Sequence, residues 1–292
     1  ASADGRRFVV TAADTNRTLW RIPIGTGPAG ESAASRVAAP TNGGRAPRIA
    51  AGYLLFVSST GDHDTLWRLE SGEATRVWST PRARIIGGAA IAPDGERIAF
   101  VVEENGRRRL CLIRSDGSQL EVLPQPADPQ GTPAWSPDGQ CVAIAAIING
   151  VAVLARVSAD GRTCEPLLSR FVADPAWSPN GETIVYSGAE IGTTFQIQAV
   201  SADGREQADP NVTLSRGARR VVFLPGQNAL VVLRGDMHHQ NFAVIDLATG
   251  RERALTSFAG HFAIGDFDVS PDGREIVFER EQNNSHVVMI ER

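Results

Sequence analysis

At 292 residues the chain is long enough for one large domain or two ordinary ones, and 42% hydrophobic and 21% charged residues with 29 Gly and 17 Pro describe a turn-rich globular protein. The net charge of −4 argues against a protein that follows nucleic-acid phosphates through its overall field. Every one of the 29 positive residues is Arg, so no Schiff-base, phosphate-loop or general-base lysine exists.

No run approaches the ~20 apolar residues of a membrane span. The opening ASADGRR carries no charged-then-apolar leader. Taken in chain order, short apolar runs bounded by Gly, Pro, Asp or Asn read as strands. A turn SADG (2–5) leads into a first apolar run and then TLWRIPI (18–24). GTGPAGESAAS (25–35) reads as a flexible loop. RIAAGYLLFVS (48–58) is a degenerate strand–turn–strand unit, followed by the strand TLWRLES (65–71). The same unit returns around APDG (92–95), SPDG (136–139), SPNG (178–181), LPGQ (224–227) and SPDG (270–273). Pro presets the turn, Asp or Asn bonds the neighbouring backbone, and Gly takes the positive φ. After each unit comes a third strand, such as RRLCLIR (108–114), VAVLARV (151–157), FQIQAVS (195–201), FAVIDLA (242–248) and HVVMIER (286–292). Most third strands lead to a further turn and a short fourth strand.

Four strands in roughly 45 residues, repeated, is the arithmetic of an all-β propeller. Counting turns gives seven four-stranded blades; the alternative is a six-bladed ring with an extra hairpin. Seven full blades need roughly 20 residues more than are present, about two short strands. The expectation is therefore a single propeller domain over 1–292, excised from a longer chain, whose missing strands lie just upstream of Ser2.

AWSPDG, AWSPNG and DFDVSPDGREIVFER resemble the repeats of TolB-type (PD40, WD40-like) propellers, and the resemblance covers the whole chain. The opening SADGRRFVVTAADTNRTLWRIPI and the last 37 residues are similar to one subgroup. There the propeller follows a bacterial Ser/Thr kinase domain or a winged-helix regulator, often with a membrane segment between. No kinase Gly-rich loop, HRD or DFG is present. The resemblance implies a non-catalytic sensing or interaction module, accessory to a signalling protein and extracytoplasmic. Relatives include interaction proteins, protease accessory domains, sensors and a metal-dependent pectic lyase.

In such a ring the PDG turns lie on one face and the loops entering each inner strand lie on the other, around the channel mouth. The entering loops hold Arg45, Arg48, Arg82, Arg84, Arg170, Arg216 and Arg219, with Arg220 and Asp266 alongside. Forked guanidinium groups could hold a small anionic ligand or an acidic partner protein at the mouth. Equally, Arg is the only cation available to loops that face water. His238, His239 and His261 are the candidate metal ligands, on which an alternative lyase or hydrolase reading rests; solvated loop histidines are the plainer reading. No GxSxG elbow is present, and the adjacent Glu103 and Glu104 read as a solvated turn. Trp20, Trp67, Trp135 and Trp177 recur with the repeat and read as packing between blades, and the PDG aspartates as turn formers. Cys111, Cys141 and Cys164 have no metal spacing and read as buried thiols. No cofactor, nucleic acid or membrane contact is implied. A third alternative is a purely structural interaction platform.

Overall fold

The computed structural model describes residues 7–291 apart from 42, 127, 216–219 and 237; at the two ends, side chains are described for 15–282 and 289. After β1 (Arg7–Pro23) and β2 (Ser35–Arg36), the chain winds blade after blade. Blade 1 is β3 (Arg45–Ile49), β4 (Leu54–Thr60), β5 (His63–Glu70) and β6 (Glu73–Ser79). Blade 2 is β7 (Ala83–Ile91), β8 (Arg97–Glu104), β9 (Arg107–Arg114) and β10 (Glu121–Val122). Blade 3 is β11 (Pro129–Trp135), β12 (Cys141–Ile148), β13 (Val151–Ser158) and β14 (Cys164–Leu168). Blade 4 is β15 (Ala173–Trp177), β16 (Thr183–Ile191), β17 (Thr194–Ser201) and β18 (Val212–Ser215). Blade 5 is β19 (Val222–Phe223), β20 (Ala229–Asp236), β21 (His239–Asp246) and β22 (Glu252–Ala254). Blade 6 is β23 (Ala263–Val269) and β24 (Glu275–Glu291), completed by β1 and β2 in the order β2-β1-β24-β23.

The ring therefore has six four-stranded blades among the described residues, which corrects the expectation of seven. The first and last repeats are two halves of one blade. β1 and β24 pair without a break from Arg7↔Glu291 to Pro23↔Glu275. The two apolar runs at each end of the chain were counted as separate strands because DTN and QNN divide them. In the ladder these polar residues face each other, as Asp14↔Asn284, Thr15↔Asn283 and Asn16↔Gln282. Neither stretch contains the Gly or Pro that would end a strand. With both ends in one sheet, no further strands are needed to close the ring.

The turns follow from their residues. In SPDG the Ser136 hydroxyl donates to Asp138 Oδ1 (2.6 Å), which also accepts the Gln140 amide (3.0 Å). The Cys141 amide returns to Ser136 Oγ at 3.0 Å, and Gly139 takes φ 67°. Ser178–Asn180 and Ser270–Asp272 repeat the hydroxyl bond at the same turn position, and Ser158–Asp160 repeats it between third and fourth strands. These donors hold the Asp138 carboxyl below the usual carboxylate range, the Ser136 bond first. The aspartates serve the turns.

Each blade is sandwiched between two others, so its central strands bury both faces and read as unbroken apolar runs. Leu54, Leu55, Phe56 and Val57 on β4 are all fully buried. Full burial of such a side chain contributes ~1.5–3 kcal/mol. Across one junction Leu55, Val57 and Leu66 of blade 1 pack with Ile98 and Phe100 of blade 2. Trp135 Nε1 donates to Ala90 O and Trp177 Nε1 to Ala134 O, both at 3.2 Å, tying each inner strand to the one before. The 25–35 segment departs from the flexible loop expected. It contains a short 3-10 turn (Glu31–Ala33), exchanges backbone bonds with Leu255 and Ser257 through Ala29, and sets Glu31 3.3 Å from Arg280.

Candidate binding channel

Six inner strands, β3, β7, β11, β15, β19 and β23, surround the channel. Five of them break register with their second strand partway along, between Arg45 and Arg48, Ile86 and Ala90, Gln130 and Ala134, Ala173 and Ala176, and Ile264 and Phe267. A bulge re-aims the side chains at its position. Here the bulges carry Arg48 and Asp266 to the axis.

Arg48 is 2% exposed. Its Nη2 donates to Asp266 Oδ2 at 2.9 Å and its Nη1 to Pro47 O at 2.6 Å. From blade 5, Arg220 Nε donates to Phe267 O at 2.7 Å and lies 3.1 Å from Asp266 Oδ1. Arg220 Nη2 is 3.6 Å from Asp268 Oδ1, and the other Asp268 oxygen accepts the Ile49 amide at 3.1 Å. Two arginines and two aspartates from three blades thus form one cluster, with Arg48 buried and the other three partly buried. Burial opposes the Asp266 charge, but Arg48 and Arg220 outweigh it and hold its carboxyl below the usual range. Burial wins at Asp268, whose carboxyl is pushed up. Burial together with repulsion from Arg48 lowers Arg220; at Arg48 burial is outweighed by the two aspartates. Gly88 makes room for this arrangement, since a Cβ there would stand 2.4 Å from Arg48 Nη2.

Among the described residues, the other arginines proposed from sequence do not join this cluster. Arg45 bridges two blades, reaching Asp64 at 2.8 Å and the carbonyls of Ile85 and Gly87 at 2.9 Å. Arg84 lies 3.3 Å from the same carboxylate. Arg82 is exposed in the loop before β7, at φ 61°. Arg170 pairs with Glu206, in the polar chain beyond the blade 4 turn. Arg216 and Arg219 lie outside the described residues.

Three polar side chains that sequence reasoning passed over stitch blades together near the mouth. Asp64 accepts the Ile85 amide at 2.8 Å, Gln240 the Ile264 amide at 2.7 Å, and Glu279 the Ala46 amide at 3.1 Å. Each accepts from an inner strand of the following blade, which is the edge strand of its sheet and so has ladder partners on one side only. Nothing in a linear pattern marks such a role. Asp268 did leave a signal: the DFD of β23 puts two acids where the matching strand of blade 2 carries Gly88 and Ala90.

His239 and His261 come together, with ring centroids 4.2 Å apart, edge to face. Both are exposed, and the amides of His238 and His239 donate to Asp236 Oδ1 at 2.9 Å. Among the described residues no group of three or more His, Cys, Asp or Glu side chains could hold a metal ion. Glu103 pairs with Arg108 at 2.8 Å. All three cysteines are free thiols, Cys111 buried and the others partly so.

No protein-family model matches the chain, and no curated protein matches it. Solved structures do. A putative TolB from Agrobacterium tumefaciens aligns over 92% of this chain and 99% of its own, with a TM-score of 0.68 and 19% identity. TolB from Acinetobacter baumannii aligns over 95% of this chain and 67% of its own, with a TM-score of 0.63 and 12% identity. An oligogalacturonate lyase from Vibrio parahaemolyticus gives 0.58 at 11% identity, over 94% and 98%. At these identities it is the fold that is shared. The chain has a TolB-like six-bladed β-propeller fold.

Proposed function

We propose that the chain is a non-catalytic interaction module that docks a partner protein on the loop face of blades 2 to 4. One observation carries this reading. The turns joining second and third strands, and the entering loops, place exposed Val151 (49%), Phe171 (48%) and Ile191 (70%) on that face of neighbouring blades 3 and 4. Exposed Arg82, Arg107 and Arg109 belong to blade 2, the neighbour of blade 3 in the chain. Apolar residues grouped with unspent guanidinium groups suit a partner segment that mixes acidic and apolar residues. The TolB-like architecture supports a binding role, and the histidine pair lacks the third ligand among the described residues that the lyase alternative requires. An extracytoplasmic position, and attachment to a kinase or winged-helix regulator, rest on the sequence resemblance alone. Burial pushes the Cys111 thiol up to about 11 and raises Cys141 and Cys164, which keeps all three protonated and slow to oxidise in such a compartment.

Selection of 12-residue peptides from a random library against the folded protein tests the reading. Acidic–apolar peptides are expected to be enriched, and a Val151→Asp/Ile191→Asp variant is expected to bind them at least tenfold more weakly. Selected peptides that bind the variant as tightly as the wild type would overturn it.

A further inference from the structure

Towards the turn face, the channel holds a cavity of about 200 Å³. Its walls differ in chemistry. Arg48, Arg220 and Asp268 form one side, and Ala90, Ala134 and Trp177 stand on the apolar side. The size is below the ~300–1,000 Å³ of drug-sized sites, which limits an occupant to a small molecule.

The charged wall carries unspent hydrogen-bonding capacity. Arg48 gives one bond from Nη1 to Pro47 O and one from Nη2 to Asp266, and its Nε is buried away from the cavity. Arg220 spends its Nε on Phe267 O, while its Nη2 stops 3.6 Å short of Asp268, beyond a hydrogen bond. Among the described residues neither Nη of Arg220 makes a hydrogen bond, and a forked guanidinium edge beside a small space is a geometry a carboxylate satisfies. A bare anion is nevertheless a poor match. Asp266, Asp268 and, nearby, Asp174 together offset the two arginines, so the cluster offers no surplus positive charge. An occupant that brings a carboxylate for Arg220 and a cation for Asp268 leaves the balance unchanged. Its apolar body would rest on the alanines and Trp177.

We propose that this cavity binds a small zwitterion, an aliphatic α-amino acid of about the size of leucine. The carboxylate accepts from the Arg220 Nη groups, the ammonium donates to Asp268, and the side chain lies against Ala90, Ala134 and Trp177. This site is separate from the loop face, so either reading can fail alone.

Calorimetric titration of the folded protein with L-leucine, leucinamide and 4-methylpentanoate tests the proposal. Leucinamide lacks the carboxylate and 4-methylpentanoate lacks the ammonium. Leucine is expected to bind, and each analogue to bind at least tenfold more weakly. Arg220→Gln should remove binding. Because that change disturbs a partly buried ion cluster, Ala134→Leu is the companion variant. It fills the apolar side, leaves every charge in place, and should abolish binding with the melting midpoint of the free protein preserved. The proposal is overturned if leucine at 10 mM (about tenfold above a millimolar Kd) gives no saturable heat. It is equally overturned if leucinamide binds as well as leucine, or if folded Ala134→Leu binds like the wild type.

Discussion

Glu279 shows how one residue can make ring closure depend on pH. It is 4% exposed, accepts the Ala46 amide, and lies 3.3 Å from Arg17. Burial outweighs both contacts, with Asp266 and Glu281 adding repulsion, and its pKa is pushed from 4.5 up to about 8. The folded protein therefore holds this proton more tightly than the unfolded chain does. Stability from this group is fully present below about 4.5 and declines as pH rises through about 8. The loss should be of order a few kcal/mol. Urea unfolding at pH 5 and pH 9 is expected to show a larger loss for the wild type than for Glu279→Gln, whose amide does not titrate. Parallel losses in the two proteins would rule out this role for Glu279.

At the scale of elements, the long ladder of β1 and β24 should not be uniformly stable. From Ile276 to Glu281 β24 is flanked on both sides, by β1 and by β23, whose last partner is Ala263↔Glu281. From Gln282 onward its ladder partner among the described residues is β1 alone. An isolated two-stranded ribbon is marginal in water, whereas strands flanked on both sides share the stability of the sheet. Amide hydrogen exchange is expected to be slow, at the rate of global unfolding, for Val277 and Phe278 and at least tenfold faster for Val288 and Met289. Equal protection along β24 would mean that the distal ribbon is covered by something else.

For the whole molecule, closure by both ends of the chain in one blade makes the ring a single mechanical unit. Blade 6 draws two strands from each end, and Leu19 and Ile22 of β1 are buried with residues from other blades. Deleting residues 1–40 removes half of that blade and exposes the inner faces of its neighbours. The truncated protein is expected to lose its cooperative thermal transition and to aggregate. A transition as sharp as that of the full chain, with a midpoint within about 5 °C, would show that closure contributes little.

The recurrence of SPDG-like turns determined the fold class without any coordinates, because turn residues act on their nearest neighbours and leave a local signature. The unbroken apolar runs, the turn role of Asp138 and Asp272, and the recurring tryptophans between blades were legible for the same reason. The number of blades was not. Whether DTN and QNN are loops or ladder residues depends on which strand lies opposite, and β1 and β24 are more than 250 residues apart in the chain. The site divided in the same way. Arg48 could be singled out as a cation in an entering loop. Its companions Asp266, Arg220 and Asp268 could not be assembled around it, nor could Arg45 and Arg84 be assigned to Asp64. Long-range pairing and backbone bulges decide which side chains reach the axis. Both are properties of packed blades, so only the tertiary structure could decide that the channel ends in a balanced charge cluster.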